Sequence, residues 1–201
     1  RGPIPHRRAL FDVGVAGPLA GFVVAVPVLA LGIMRSELVL VEPLPPGSQT
    51  LVFGDSLLTR GLALWLQPEV QGRFELVADP MFVAGWVGML ATVMNLLPAG
   101  QFDGGHLMYA FAPRYHRAIS IFSALAMWGL VLYYGVVVGE FSAWTLWAVV
   151  LTLFGRRHPP VPDDGVPLGT TRRVLLLIAA IILVVGFLPH PIAVVTGSTA
   201  G

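Results

Sequence analysis

The stretch Phe11–Met34 carries a single charge, Asp12 at its mouth, over 24 residues. At about 1.5 Å per residue a helix of that length crosses a hydrocarbon layer of about 30 Å. A segment of this kind leaves the chain few choices. Backbone polar groups in lipid must be satisfied within the chain, and a helix does this inside each segment.

Four more apolar runs follow. Pro80–Pro98 is uncharged, with apolar character resuming at Leu107–Ala112. Ala118–Gly139 has 22 residues without a charge, while Phe141–Phe154 has 14 and Val174–Leu188 has 15, extended by Ile192–Val195. The last two are short for a complete crossing. Composition agrees: 56% of the 201 residues are hydrophobic and only 11% charged, against about 25% charged in soluble domains. There is no cysteine, which excludes disulfides and thiolate metal sites, and a net charge of +1 gives no reason to expect nucleic acid. The expected fold is an all-α, polytopic transmembrane bundle of about five spans.

All twelve basic residues are arginine. With the start of the chain in the cytoplasm, Arg1, Arg7, Arg8, Arg114, Arg117, Arg156, Arg157, Arg172 and Arg173 fall inside, as the positive-inside rule requires. The outside loop Arg35–Asp79 then holds three arginines against six acids. It contains a proline-rich connector, VEPLPPG, and a short helix in GDSLLTRGLALWLQPE, with Asp55 as its expected N-cap. Trp144 and Trp147, beside Glu140, are expected in an interfacial belt. Arg114, His116 and Arg117 read as an inside anchor. Residues 1–112 form one expected unit and 113–201 an accessory unit with a proline-rich cytoplasmic loop.

Asp103 is the residue that such a chain has to justify. An ionisable group at the centre of a membrane helix costs roughly 2.5–3.5 kcal/mol on insertion scales. Asp103 is placed near the cytoplasmic end of its span and is surrounded by the helix breakers Pro98, Gly100, Gly104 and Gly105. The expected shape is a helix from about Met81 to Asn95, a broken segment, and a helix restarting near Gly104. Irregular backbone at that depth needs protein or a water-filled cavity around it. Three roles fit Asp103: N-cap of the restarting helix, proton or ion relay, and metal ligand with His106 three residues on. Upstream, Gly14, Gly17, Ala20 and Gly21 in DVGVAGPLAGF let another backbone approach, either as ordinary helix packing or to serve a buried site.

The stretch NLLPAGQFDGG resembles the N-x-x-P-x(4)-D-G motif of site-2 proteases, the intramembrane zinc metalloproteases. Asn95, Pro98, Asp103 and Gly104 match it position for position. FDVGVAGPLAGF is similar to the family's glycine-rich core helix. Together with PIPHRRAL, FGDSLLTR and RRHPPVPDD…PLG it looks most like the cyanobacterial and plastid branch, over about Pro3 to Pro191. The resemblance implies Zn2+ as cofactor, Asp103 as its third protein ligand, and Asn95 as a catalytic contact to the oxyanion or substrate. It implies cleavage within transmembrane segments of substrate proteins and a prokaryotic plasma membrane or a plastid membrane as the location. His106 is expected to be structural.

The family's other zinc ligands and its general base belong to an H-E-x-x-H helix. None of the five histidines here, His6, His106, His116, His158 and His190, precedes a glutamate. The chain opens on Arg1, so that helix is expected upstream in a longer protein, as a partner of the core described here. The alternative class is a non-enzymatic membrane protein: a transporter, or a pseudoprotease that binds helices without cutting them.

Overall fold

The structure is a computed structural model that describes residues 6–40, 44–70, 74–155, 159, 161–162, 165 and 167–196. Its elements in chain order are α1 (Arg7–Arg35), β1 (Glu37–Leu40), β2 (Gln49–Phe53), α2 (Leu57–Leu66), β3 (Phe74–Val77), α3 (Pro80–Leu96), α4 (Asp103–Phe111), α5 (His116–Leu132), α6 (Trp144–Phe154), α7 (Gly169–Gly186) and β4 (Ile192–Thr196). A π-helical segment, Tyr133–Val138, extends α5.

The bundle is all-α in its membrane part, as expected. Among the described residues three helices are long and apolar enough to cross a membrane: Arg7–Arg35, His116–Val138 and Gly169–Gly186. α3 and α6 are apolar but shorter, with 17 and 11 residues. The five runs seen in the sequence each form a helix, but Ile192–Val195, expected to extend the last, is not helical: beyond Pro189 and Pro191 it lies in β4 and pairs with β2. α6, about 16 Å long, does not cross ~30 Å by itself.

α1 runs unbroken through Pro18 and Pro27 and forms the spine. Small residues let α3 lie antiparallel against it. Gly32 meets Phe82, Gly85 meets Leu29, Gly88 meets Ala25, and Gly21 meets Thr92. The approach is close enough that a Cβ at Gly21 would sit 2.7 Å from Thr92 Oγ1. α4 continues along the first half of α1, and at its far end Arg7 donates from Nε and Nη2 to the Ala110 carbonyl, at 3.1 and 2.7 Å. That carbonyl is one of the groups a helix terminus leaves without a partner.

Arg172 on α7 holds Asp12 with two bonds of 2.8 and 2.7 Å at the same end of the bundle. Arg7 and Arg172 therefore share one end, as the arginine distribution requires. At this end Leu10, Phe11, Leu107, Ala110, Ala179 and Ile182 form one buried cluster.

The opposite end is less simple than an outside loop. β1 pairs antiparallel with β3, Glu37 opposite Val77. β2 pairs antiparallel with β4, Gln49 opposite Thr196 and Phe53 opposite Ile192. Hydrogen bonds tie these ribbons to the bundle: Gly54 N donates to Pro191 O at 2.7 Å and Trp86 Nε1 donates to Gly54 O at 2.9 Å. Gln67 Nε2 caps α1 by donating to Ile33 O at 2.6 Å.

Two expectations are corrected here. The N-cap of α2 is Ser56, whose hydroxyl accepts from Thr59 N at 3.0 Å, and not Asp55. Ser56 lies one residue closer to the first helical turn and its shorter side chain reaches the N–H. Trp144 is not interfacial: it is fully buried, donates from Nε1 to Leu188 O and Pro189 O at 2.9 and 3.1 Å, and stacks on Phe187. Part of the VEPLPPG connector and most of the proline-rich segment, with His158, lie outside the described residues.

Candidate functional site

The break between α3 and α4 is where residue chemistry concentrates. α3 ends as its ladder gives out: Leu97 N donates back only to Met94 O, and Ala99 N turns back to Leu97 O at 2.8 Å. Pro98 has no N–H to continue the helix. Gly100 takes φ +53°, the left-handed region that favours glycine, and a Cβ there would also lie 2.7 Å from Gly155 Cα. Phe102 N donates to Ala99 O at 3.2 Å, and α4 starts at Asp103. Gly104 and Gly105 then fold the new helix directly onto the carbonyls of Leu96 and Gly100, where any Cβ would collide. Helix, break and restarting helix fall where the sequence places them.

Asp103 is half-buried in the first turn of α4. It is not an N-cap: Phe102 holds that position and no side chain bonds the freed N–H groups. Among the described residues no cation or hydrogen-bond donor pairs with its carboxylate. Opposite stands the glycine face of α1. A Cβ at Gly17 would lie 3.2 Å from Asp103 Oδ2, and one at Gly14 would lie 3.0 Å from His106 Cβ and 3.1 Å from Asp103 O. The glycine face leaves the carboxylate a space, a cradle that any side chain at position 17 would narrow. Gly17 itself is exposed, so the cradle opens outward.

Asn95, on the last turn of α3, is exposed. His106, one turn after Asp103, is half-buried against Gly14. Among the described residues no three His, Asp or Glu side chains gather as a metal site would require. Asp103 suits one position in a zinc shell: an oxygen donor with no cation beside it among the described residues, held on a helix and facing an open side. The described residues bring no second and third metal donor beside it.

His116 belongs to this region, which its place in the sequence does not suggest. Instead of anchoring at the surface beside Arg114 and Arg117, it is 3% exposed and bonds Gly100 O through Nε2 at 3.2 Å. A usable signal exists in the sequence. His116, Ser120 and Ser123 recur at i, i+4 and i+7 on an apolar helix, which marks one polar stripe turned inward.

The site is thus a broken apolar helix that presents Asp103 to the glycine face of α1. The family model for "Peptidase family M50" matches residues 2–136, and the chain belongs to that family, the site-2 proteases. It is similar to "Probable zinc metalloprotease EGY1, chloroplastic" of Oryza sativa subsp. japonica, 29% identical across 92% of this chain and 31% of that protein. It is also similar to "Probable zinc metalloprotease EGY2, chloroplastic" of Oryza sativa subsp. indica, 32% identical across 79% of this chain and 28% of the relative. The chain spans about a third of the length of these curated relatives. No solved structure matches it. Family and apolar helices together make it an integral membrane protein.

Proposed function

We propose that this chain forms the aspartate-bearing part of an intramembrane zinc metalloendopeptidase that cleaves transmembrane segments of substrate proteins. Asp103 is the third zinc ligand in this reading. The observation that carries it is the cradle at Gly17. A carboxylate with no cation beside it among the described residues is kept in the bundle, and the facing helix carries no side chain there. A zinc ion bound to Asp103 and two outside histidines would supply a water of lowered pKa and polarise the scissile carbonyl.

The chain's own residues do the rest. Pro98 and Gly100 end α3, so that the first turn of α4 can turn Asp103 towards α1. Gly14 and Gly17 keep the space in front of it open. Asn95, exposed on the last turn before the break, offers an amide N–H to a carbonyl oxygen as charge develops there. The zinc-binding histidines and the general base belong to an H-E-x-x-H segment of the full-length protein.

The test is metal content. Full-length protein and its Asp103→Ala variant are purified in detergent and zinc is counted per chain by mass spectrometry, with cleavage of a transmembrane substrate followed in parallel. The variant should lose most of its zinc and its activity. Full zinc occupancy in the variant would remove Asp103 from the metal shell and favour a role as ion relay.

A further inference from the structure

Gly100 lies at the bend of the break, and both of its backbone polar groups are taken up by side chains of α5. Its N–H donates to Ser120 Oγ at 3.3 Å, and its carbonyl accepts from His116 Nε2 at 3.2 Å. Because the partner is a carbonyl, that ring nitrogen carries a proton. His116 and Ser120 are 3% and 1% exposed, and Ser123 on the next turn places its hydroxyl 3.5 Å from Pro98 O. Tyr109 of α4 meets the imidazole edge-on at 5.6 Å. Buried polar groups need partners, and a residue outside both helical ladders has to find them on other elements.

We infer that His116 and Ser120 are positioning residues, a clamp from α5 that sets the backbone of the break and thereby the place of the Asp103 carboxylate. The inference deepens the proposed function and rests on Asp103 being a ligand. The mechanical link is short. Gly105 packs on the carbonyls of Ala99 and Gly100, and Asp103 shares its helical turn. Phe102, the residue before Asp103, is bonded back to Ala99. If Gly100 shifts, the first turn of α4 shifts with it. α5 fixes the break at Gly100 from which the Asp103-bearing helix starts. It is therefore part of the core, whereas the sequence pattern places residues 113–201 in an accessory unit.

Full-length protein is compared with His116→Leu, His116→Gln and Ser120→Ala by two readouts. One is amide hydrogen exchange over residues 97–106. The other is zinc affinity by competition with a chelator. Leucine fills the space without the donor, and glutamine restores an N–H near the position of Nε2. His116→Leu should quicken exchange across the break and weaken zinc binding about 10–100-fold, the usual effect of losing a partner behind a metal ligand. His116→Gln should recover most of both. Ser120→Ala should act in the same direction to a smaller extent, and it carries the test if His116→Leu fails to fold.

Unchanged exchange and affinity in both His116→Leu and Ser120→Ala would overturn the clamp. So would a glutamine variant as impaired as the leucine one, since packing alone would then explain the effect. Faster exchange in His116→Leu, combined with full zinc retention in Asp103→Ala, would uphold the clamp on the backbone and place the fault with the ligand role.

Discussion

Gly17 of α1 faces Asp103 of α4 so closely that the first carbon of any side chain at position 17 would come within 3.2 Å of the carboxylate oxygen Oδ2. Helix propensity and site geometry pull against each other at this position. Alanine is favoured over glycine inside a helix by about 0.8–1.0 kcal/mol. The glycine that weakens α1 locally is the one that leaves the acid its space.

Substitutions at Gly17 should therefore separate stability from metal binding. Gly17→Ala is expected to raise or preserve the thermal unfolding midpoint while lowering zinc affinity several-fold. Gly17→Val, with two more methyl groups at the cradle, should lose most of the metal. Midpoints come from heating the detergent-solubilised full-length protein, and zinc from mass spectrometry. A valine variant with a full complement of zinc would show that the cradle is only helix packing.

Asn95 should behave in the opposite way. It is exposed at the end of α3, so its removal disturbs little of the fold. Asn95→Ala is expected to keep its zinc and its unfolding midpoint while cleavage falls about 10²–10³-fold in kcat, the usual cost of losing one oxyanion donor. Single-turnover cleavage of a transmembrane substrate measures this, and a rate equal to wild type would take Asn95 out of the mechanism.

Trp144 and Trp65 give a stability contrast that composition does not foresee. Trp144 is fully buried and its indole N–H bridges two carbonyls beyond α7, whereas Trp65 on α2 is 76% exposed. Trp144→Ala should cost about 3–5 kcal/mol, and Trp144→Phe about 1–3 kcal/mol, since it keeps the stacking on Phe187 but orphans the carbonyls. Trp65→Ala should stay within about 0.5 kcal/mol. Denaturant or thermal unfolding of the three variants in one detergent settles the order. Equal losses at Trp144 and Trp65 would contradict the burial of Trp144.

Asp103 and its surroundings are legible in the sequence because their signals are local. Proline and glycine act on their own backbone and its nearest turns, so a break after about Asn95 and a restart near Gly104 follow from a few consecutive residues, within one residue of the observed Leu96 and Asp103. The apolar runs are local as well: hydrocarbon thickness sets a minimum length that can be counted along the chain. Even so, the cap role of Asp103 is open in the sequence and closed by the fold, because Phe102 stands where the helix begins.

Tertiary structure decides whatever depends on which residues meet across the bundle. The pairing of β2 with β4 joins segments far apart in the chain, and short exposed strands carry no local pattern that names their partner. Trp144 resembles an interfacial tryptophan until the carbonyls after α7 supply acceptors for its N–H. His116 sits between arginines in sequence and under Gly100 in space, because a helix turns one side chain inward while its neighbours face out. Local chemistry along the chain thus determined a membrane bundle with an aspartate at a broken helix. Only packing determined what that aspartate faces and what holds its loop, since such contacts are made by residues that no spacing rule brings together.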